Sequence, residues 1–393
     1  MSAAAPLLPG ARQGGAPLTL GVLGGGQLGR MFVHAAQAMG YDTAVLDPDA
    51  DSPAGRVSHH HICSDYQDPQ GLAQLAALCG AVTTEFENVP AAALSSLAAQ
   101  CRVAPGAAAV AIAQDRMAEK AHFVRCGVPC APFVGIASAA DLQAVPAEVL
   151  PGILKTVRMG YDGKGQVRVA ERAQLAAAWA QLQHQPCVLE KLLPLALECS
   201  VLLARGADGQ MVHFPVQRNL HRDGILAVTE VYAGNVPPAL AGQAVAAAQA
   251  VAQGLDYVGV LCVEFFVLDD GTLVVNEIAP RPHNSGHYSL DACDQSQFDL
   301  QVRTLAGLPL VAPRQHSASV MLNLLGDLWG PAMDRTPAWD AVLALPGAHL
   351  HLYGKRQART GRKMGHLTLT DPDAQSVRAT ALQAAQILGI VAF

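Results

Sequence analysis

The fold of this 393-residue chain is decided by Gly259–Ile278, which reads GVLCVEFFVLDDGTLVVNEI. Two apolar runs, Gly259–Leu268 and Thr272–Ile278, flank Asp270-Gly271, a strong signal for the turn of a β-hairpin. Apolar residues occupy both alternating sets of positions, so both faces of this hairpin are predicted to be buried.

Two glutamates lie on this hairpin. If the turn pairs Asp269 with Thr272, Glu264 lies opposite Glu277, about 5 Å away. Two buried carboxylates at that distance repel each other unless a proton or a cation lies between them. We therefore predict that Glu264 and Glu277 bind Mg²⁺, with Mn²⁺ as an alternative, because hard cations combine carboxylate with phosphate oxygens. A glycosidase-like carboxylate pair and a solvated hairpin edge are the competing interpretations.

A glycine-rich loop upstream indicates a phosphate ligand. Lys155 ends a predicted strand, and Met159–Gln166, MGYDGKGQ, leads to the next strand. Glycines between two strands form a flap whose amides can close over phosphate oxygens, and Lys155 and Lys164 add positive charge. The loop is not a Walker A motif, because no Gly-Lys-Ser/Thr opens a helix. An ordinary exposed hairpin loop is the alternative.

Another glycine turn lies near the N-terminus. Gly24–Gly29, GGGQLG, follows the apolar run Leu18–Leu23 and opens a helical pattern over Leu28–Met39. Its glycines would let amides at the helix N-terminus face a phosphate, and Asp47 follows at about the spacing of a ribose-binding acid. Taken alone, the turn predicts an NAD-dependent oxidoreductase, a protein for another phosphate ligand, or a purely structural turn.

Three weaker patterns accompany these motifs. Arg281–His287, RPHNSGH, either supplies donors to an anionic substrate or forms a structural loop. A basic cluster near the C-terminus, which either binds a phosphate monoester or is a solvated surface, comprises Lys355, Arg356, Arg359, Arg362 and Lys363. His59–His61 with Cys63 suggests a transition metal, but three consecutive side chains point in different directions and rarely bind one ion.

Composition limits the classes of function. The net charge of −6 argues against nucleic-acid and anionic-membrane partners, and no apolar stretch approaches the roughly 20 residues that cross a bilayer. Nine scattered cysteines without a C-x-x-C pair predict reduced thiols in a cytoplasmic protein.

The order of elements predicts α/β and α+β units in one chain. Residues 1–17 are expected to form a loose tail, and 18–113 alternate strands and helices as in a Rossmann-like parallel sheet. Residues 114–312 suggest an α+β domain with antiparallel sheets, and 313–393 a small last domain.

Assembled, these motifs resemble the N5-carboxyaminoimidazole ribonucleotide synthetase family of ATP-grasp enzymes. The resemblance covers nearly the whole chain from Leu18 onward, and its most specific motifs are Gly24–Met31, Gly160–Gln166, Asn276–Pro280, Arg281–His287 and Gly361–His366. It implies an ATP-grasp fold with a Rossmann-like N-terminal domain and a small C-terminal closing domain. Thr360 departs from the proline usual in the family, which could loosen the phosphate loop.

The resemblance also implies the site residues. ATP is expected at Arg116, Lys155, Gly160, Tyr161, Asp162, Gly163, Lys164, Gly165, Gln166, Glu190, Lys191, Leu192, Leu193, Glu198, His221, Asn276 and Glu277. The ribotide is expected at Gly26, Gln27, Leu28, Glu85, Tyr161, Asp162, Lys164, Arg281, Asn284 and Ser285, with its phosphate at Lys355 and Arg362. Catalytic roles fall to Lys155, Tyr161, Asp162, Lys164 and Arg281.

The implied reaction joins bicarbonate to 5-aminoimidazole ribonucleotide through carboxyphosphate and converts ATP to ADP and phosphate. A cytoplasmic homodimer without nucleic-acid or membrane partners is expected. Another ATP-grasp ligase or carboxylase would share the metal hairpin and differ at Tyr161-Asp162 and in Arg281–His287. A dehydrogenase would leave the hairpin unused, and a non-catalytic nucleotide-binding protein would not need both glutamates and both lysines.

Overall fold

The computed structural model describes residues 5–160 and 165–393. Of the predicted site residues, Tyr161, Asp162, Gly163 and Lys164 lie outside the described residues. Helices and sheets alternate along the chain in three successive units, which agrees with the predicted mixture of α/β and α+β structure.

The first unit is a parallel sheet covered by helices. Its strands are β1 (Arg12–Gln13), β2 (Ala16–Pro17), β3 (Thr19–Leu23), β4 (Asp42–Leu46), β5 (His60–Ile62), β6 (Ala81–Thr84) and β7 (Arg102–Val103). Its helices are α1 (Gln27–Ala38), α2 (Pro69–Leu78), α3 (Ala91–Ala98) and α4 (Ala107–Ala113). Apart from the small β1–β2 hairpin, the strands form one sheet in the order β5-β4-β3-β6-β7. Helix α1 buries Leu28, Phe32, Val33 and Ala36 on this sheet, a spacing that places them on one helical face.

The second unit begins with helix α5 (Arg116–Arg125) and a small antiparallel sheet. The sheet contains β8 (Phe133–Ile136), β9 (Gly152–Thr156), β10 (Gln166–Val169) and β11 (Cys187–Lys191), in the order β10-β9-β11-β8. Helices α6 (Ala139–Ala144) and α7 (Leu175–Gln181) pack on it. In the sequence, the glycine-rich loop lies between β9 and β10, which pair with each other.

A large antiparallel sheet follows and continues to the end of the chain. It contains β12 (Leu195–Arg205), β13 (Met211–His213), β14 (Gln217–Arg222), β15 (Ile225–Val231), β16 (Gly259–Leu268), β17 (Leu273–Ala279), β18 (Ala318–Leu325), β19 (Ala348–Leu352) and β20 (Lys363–Asp371). Its order is β17-β16-β12-β14-β15-β18-β20-β19, with β13 beside β12. The remaining helices are α8 (Pro238–Gly254), α9 (Ser289–Ala292), α10 (Gln297–Ala306), α11 (Trp339–Leu343) and α12 (Ala374–Leu388). The C-terminal strands therefore extend the sheet of the second unit through the β15–β18 pair.

The hairpin β14–β15 was not among the predicted strands. Its turn contains Asp223-Gly224, both with positive φ, which is the backbone conformation of a two-residue hairpin turn. The same Asp-Gly signal that revealed β16–β17 was thus present here as well.

Helix α10 fixes the second unit to the first. A capping box of Ser296 and Asp299 starts the helix, and Gly307, at φ 72°, ends it. Phe298 and Val302 lie in one core cluster with residues of β3 and α1. The segment before α10 is thereby held beside the N-terminal glycine turn. Among the described residues, no helix combines the length and apolar character needed to cross a membrane.

Candidate active site

Glu264 and Glu277 are opposite each other on β16 and β17, as predicted. The predicted pairing of Asp269 with Thr272 is wrong by one residue, because Leu268 donates its amide to the Thr272 carbonyl instead. A β-bulge between the pairs Glu264–Glu277 and Phe265–Val275 restores the register at the glutamates. Asn276 is the extra residue of this bulge.

The Glu264 carboxylate is buried without full compensation. Its Oε1 has no hydrogen-bond partner among the residues the structure describes, although His283 Nε2 lies 3.4 Å away. Burial, together with the nearby Glu277 and Glu198 carboxylates, raises the pKa of Glu264 to about 7. A buried carboxylate oxygen of this kind, facing a second carboxylate, is suited to a divalent cation.

Arg116 and Glu119 of helix α5 contact β17, the strand that carries Glu277. Arg116 Nη1 lies 3.1 Å from Glu277 Oε2, and its Nη2 donates to the Gly160 carbonyl at 3.1 Å. Glu119 accepts the Ile278 amide at 2.8 Å, and burial raises its pKa to about 8. Sequence reasoning missed Glu119, although it lies three residues after Arg116, about one helical turn, and therefore on the same face.

A second cluster of charges lies between α5 and the small sheet. Glu190 Oε2 is 3.2 Å from Lys155 Nζ and 3.1 Å from Lys120 Nζ. Burial alone would raise the pKa of Glu190, but the two ammonium groups hold it below its ordinary value. Lys120 is fully buried and was not predicted. Gly165 and Gln166 begin the return strand, where Gln166 pairs with Lys155.

Several of the residues predicted to bind ATP lie at the connection between the two sheets of the second unit. Glu190 and Lys191 end β11, and Leu192 and Leu193 lead to β12. On β12, Glu198 forms an ion pair with His221 Nδ1 of β14. Burial would lower the pKa of His221, but the hydrogen-bonded Glu198 raises it.

A cavity of about 890 Å³ lies where the three units meet. Its walls include Gln27, Leu28 and Glu85 of the first unit, Arg116, Gly160, Glu264, Glu277, Arg281 and Asn284 of the second, and Lys355 and Arg359–Lys363 of the third. The structure thus brings most predicted metal and ribotide residues together. Lys155, Glu190, Glu198 and His221 lie outside this wall.

The glycine amides of the N-terminal turn are already bonded within the protein. Glu85 accepts the Gly26 amide at 2.5 Å and the Gly29 amide at 2.7 Å, and Asp47 accepts the Gly25 amide at 2.6 Å. Side chains at Gly25 and Gly26 would collide with these neighbours. Of the three interpretations of this turn, an oxidoreductase is disfavoured, because two carboxylates lie where a dinucleotide phosphate would meet the Gly25 and Gly26 amides.

Arg281 and Asn284 enter the cavity from the segment after β17. Arg281 forms an ion pair with Glu87, which follows β6 of the first unit and was not predicted. Polar residues at the carboxyl end of a parallel strand are a general signal that could have revealed Glu87. Asn284 is buried, and among the described residues neither of its amide atoms has a hydrogen-bond partner.

Ser285, unlike its neighbour Asn284, does not line the cavity. It is fully buried and outside the cavity wall, and its hydroxyl bonds to Ser200 at 2.8 Å and to His283 Nδ1 at 2.9 Å. These contacts place it beneath the segment that carries Asn284.

The basic C-terminal segment faces the glycine turn across the cavity. Burial raises the pKa of Glu85 above its ordinary value, although the Gly29 and Gly26 amides and, to a smaller extent, the charge of Lys355 oppose this rise. Arg356 forms an exposed ion pair with Asp51 of the first unit at 2.7 Å. Arg362 and Thr360 lie on the cavity wall. Cations thus line one side and buried carboxylates the other.

Models of three protein families match successive parts of the chain. A ribonucleotide synthetase preATP-grasp domain matches residues 18–114, an ATP-grasp domain matches 121–298, and a phosphoribosylaminoimidazole carboxylase C-terminal domain matches 319–380. The matches follow the order of the three units.

Curated relatives carry one name. The N5-carboxyaminoimidazole ribonucleotide synthase of Brucella melitensis is 45% identical over 361 residues, covering 90% of this chain and 96% of the relative. That of Bacillus subtilis is 41% identical over 350 residues, covering 89% of this chain and 90% of the relative.

Solved structures agree with these relatives. The N5-carboxyaminoimidazole synthetase of Staphylococcus aureus complexed with ADP superposes with a TM-score of 0.87 at 36% identity, covering 97% of this chain and 99% of that one. The Aspergillus clavatus synthase in complex with ADP and 5-aminoimidazole ribonucleotide gives a TM-score of 0.88 at 31% identity, covering 95% and 99%.

Proposed function

Because the chain belongs to the N5-carboxyaminoimidazole ribonucleotide synthase family, we propose that it carboxylates 5-aminoimidazole ribonucleotide with bicarbonate and ATP, in purine biosynthesis. The observation that carries this proposal is the single cavity that joins the Glu264–Glu277 pair to the basic segment around Arg362. The phosphate end of ATP and a ribotide whose phosphate lies at the basic segment can then occupy one cavity.

We place ATP along the connection between the two sheets of the second unit. The adenine would lie at Glu190–Leu193 and the ribose at Glu198, beside His221. Lys155 and Arg116 would contact the phosphates, because both lie close to the loop that begins at Gly160. Tyr161–Gln166 would complete this contact, with its amides toward the phosphate oxygens.

The residues present fit a divalent cation. The unpartnered Oε1 of Glu264 and the opposing Glu277 would hold Mg²⁺, or Mn²⁺ in its place, beside Asn276. A bound Mg²⁺ supplies charge neutralisation to the phosphate oxygens. Burial raises the pKa of Glu264, so the charged form of this carboxyl is costly unless a cation compensates it.

The chemistry requires positioning more than a protein nucleophile. A bicarbonate oxygen attacks the γ-phosphorus, ADP leaves, and the product is carboxyphosphate. The exocyclic amine then attacks its carbon, or CO₂ released from it, and phosphate leaves as the amine loses a proton. Arg281, held by Glu87, would orient the bicarbonate-derived group, and Lys164, Tyr161 and Asp162 would act from the loop.

The ribotide would lie between the first and third units. Gln27, Leu28, Glu85 and Asn284 would contact its base and ribose, and Lys355 and Arg362 would contact its phosphate. The unpartnered amide of Asn284 supports a polar ligand at this position. We further propose that the enzyme is a cytoplasmic homodimer, in line with its reduced-thiol composition and family.

The test is substrate dependence of ADP release. We expect release to require both 5-aminoimidazole ribonucleotide and bicarbonate, with labelled bicarbonate recovered in the ribotide. ADP release stimulated by formate and a different ribotide would indicate another ATP-grasp ligase. NADH binding without ATP binding, measured by calorimetry, would contradict the proposal altogether.

A further inference from the structure

A second group of metal-ligating side chains lies outside the active-site wall. It consists of Asp291 on α9, His349 and His351 on β19, and His366 on β20. None of these four residues lines the cavity described above. One ligand atom each from Asp291, His351 and His366 lies within 4.8 Å of the others.

His366 supplies the observation that points to a ligand. The residue is fully buried, its Nδ1 lies 2.9 Å from the Tyr353 hydroxyl, and its Nε2 has no hydrogen-bond partner in the described part of the chain. Burial lowers the pKa of His366 well below its ordinary value, so the ring is neutral. A neutral imidazole with one nitrogen supported and the other unpartnered is the form that binds a transition metal.

The other members lie around the Asp291 carboxylate. His351 Nε2 lies 2.9 and 3.1 Å from the two Asp291 carboxylate oxygens, and its ring stacks on His366 at 4.5 Å. His349 directs Nδ1 to Asp291 at 3.7 Å, while Thr370 contacts its Nε2 at 3.1 Å. Two of the three imidazoles therefore already have an outer hydrogen-bond partner, as metal-ligating histidines generally do.

We propose that Asp291, His351 and His366, with His349 as the fourth ligand, form a zinc site that fastens the segment before α10 to the C-terminal strands. One carboxylate and three imidazoles suit tetrahedral Zn²⁺, with one negative charge from the protein. Donor atoms around zinc lie about 3.3 Å apart and each imidazole binds in the plane of its ring, so the partly exposed His351 ring would rotate off its stack on His366, and His349 would turn inward, on binding. The site would join α9 to β19 and β20. Helix α9 lies in the same chain segment as Asn284, and the two strands flank Lys355 in the sequence.

The experiment is zinc binding by chelator-treated protein, measured by calorimetry and by metal analysis after dialysis. We expect the wild type to take up zinc at this site and Asp291→Asn and His351→Gln to bind it about 100-fold more weakly or not at all. Thermal unfolding gives a second measurement: zinc should raise the midpoint of the wild type and leave that of both variants unchanged.

Two further variants separate this site from other zinc ligands. His60→Ala removes a ring from the exposed His59–His61 run, and Glu264→Gln alters the cluster of Cys262, Glu264 and His283. Both should retain the zinc-dependent rise in the unfolding midpoint. The proposal is overturned if the wild type takes up no zinc, or if His351→Gln binds it as tightly as the wild type. In either case the cluster is an ion pair between Asp291 and His351 and nothing more.

Discussion

The glycine turn Gly24–Gly29 and the hairpin Gly259–Ile278 each bring two carboxylates together, with opposite results. At the turn, Glu85 and Asp47 accept the Gly25, Gly26 and Gly29 amides, so these three donors are bonded within the protein. At the hairpin, Glu264 keeps an oxygen that no described residue bonds. The first site is compensated by the protein, whereas the second is left for a ligand.

This difference explains why the turn resembles a dinucleotide motif without having its function. The glycines allow the close approach of an anion in both cases, but here the anion is the side chain of Glu85. A glycine pattern thus predicts that an anion lies at the helix N-terminus, and it does not reveal whether that anion belongs to the protein.

The largest expected effect comes from removing one carboxylate charge from the Glu264–Glu277 pair. Glu277→Gln should lower Mg²⁺-dependent turnover about 1000-fold, because metal binding contributes several kcal/mol of charge stabilisation and each 1.36 kcal/mol is a factor of ten. Steady-state kinetics over a range of Mg²⁺ concentrations measures it. Asp269→Asn, in the exposed turn of the same hairpin, should keep wild-type activity. Equal activity of Glu277→Gln and wild type at limiting Mg²⁺ would refute the metal assignment.

At the glycine turn, the expected effect is on the stability of the folded protein. Glu85→Ala should lower the free energy of unfolding by about 2–3 kcal/mol, because two charged hydrogen bonds to α1 are lost. The freed amides should then bind an anion, so sulfate should stabilise this variant more than the wild type. Glu171→Ala, at an exposed glutamate, serves as the control for denaturant midpoints. A variant as stable as wild type would mean that the carboxylate does not compensate the turn.

A substitution at Arg362 tests whether the basic side of the cavity binds the ribotide phosphate. Arg362→Ala should weaken use of the ribotide about 10- to 150-fold, since a charged hydrogen bond contributes roughly 1.5–3 kcal/mol, and should change the KM for ATP little. Arg356→Ala removes a neighbouring arginine that pairs with Asp51 outside the cavity and is the matched control. If kcat/KM for the ribotide is the same in both variants, Arg362 is a surface residue.

A gradual effect, which accumulates over several pH units, is expected at Glu119, which resembles Glu85 in accepting a backbone amide while buried. Its pKa rises from 4.5 to about 8 on folding, so between these values the folded protein holds a proton that the unfolded chain releases. Stability contributed by this group should therefore fall as the pH increases, by about 1 kcal/mol per pH unit, and level off above pH 8. Glu119→Gln should lose this slope, as unfolding measured from pH 5 to 8 will show. An unchanged slope would place the titration elsewhere.

The sequence predicted the hairpin pair correctly although the turn was misplaced. Leu268, not Asp269, pairs with Thr272, and the bulge at Asn276 cancels the difference before Glu277 is reached. Bulges depend on local twist and on contacts such as Glu119 with the Ile278 amide, which alternation of residue types does not encode.

Other contacts that the sequence did not predict have a different physical origin. Glu85 meets Gly26 only because β3 and β6 are neighbours in the parallel sheet, a fact of topology rather than of spacing. Lys120 carries a charge in a helix where solvent exposure is the usual expectation, and only the fold reveals that Glu190 compensates it. By contrast, the Asp223-Gly224 turn was recognisable and was overlooked.

The continuity of the large sheet limits how this chain can be divided. Because β15 pairs with β18, cutting the chain near residue 312 would turn β15 into a bare edge with unpaired amides and carbonyls. Val228, buried against Val320 and Leu322, would be exposed at the same edge. A truncated protein of this kind would present a template for strand addition and aggregate, so the C-terminal strands are not a module that evolution or an engineer can exchange without repairing that edge.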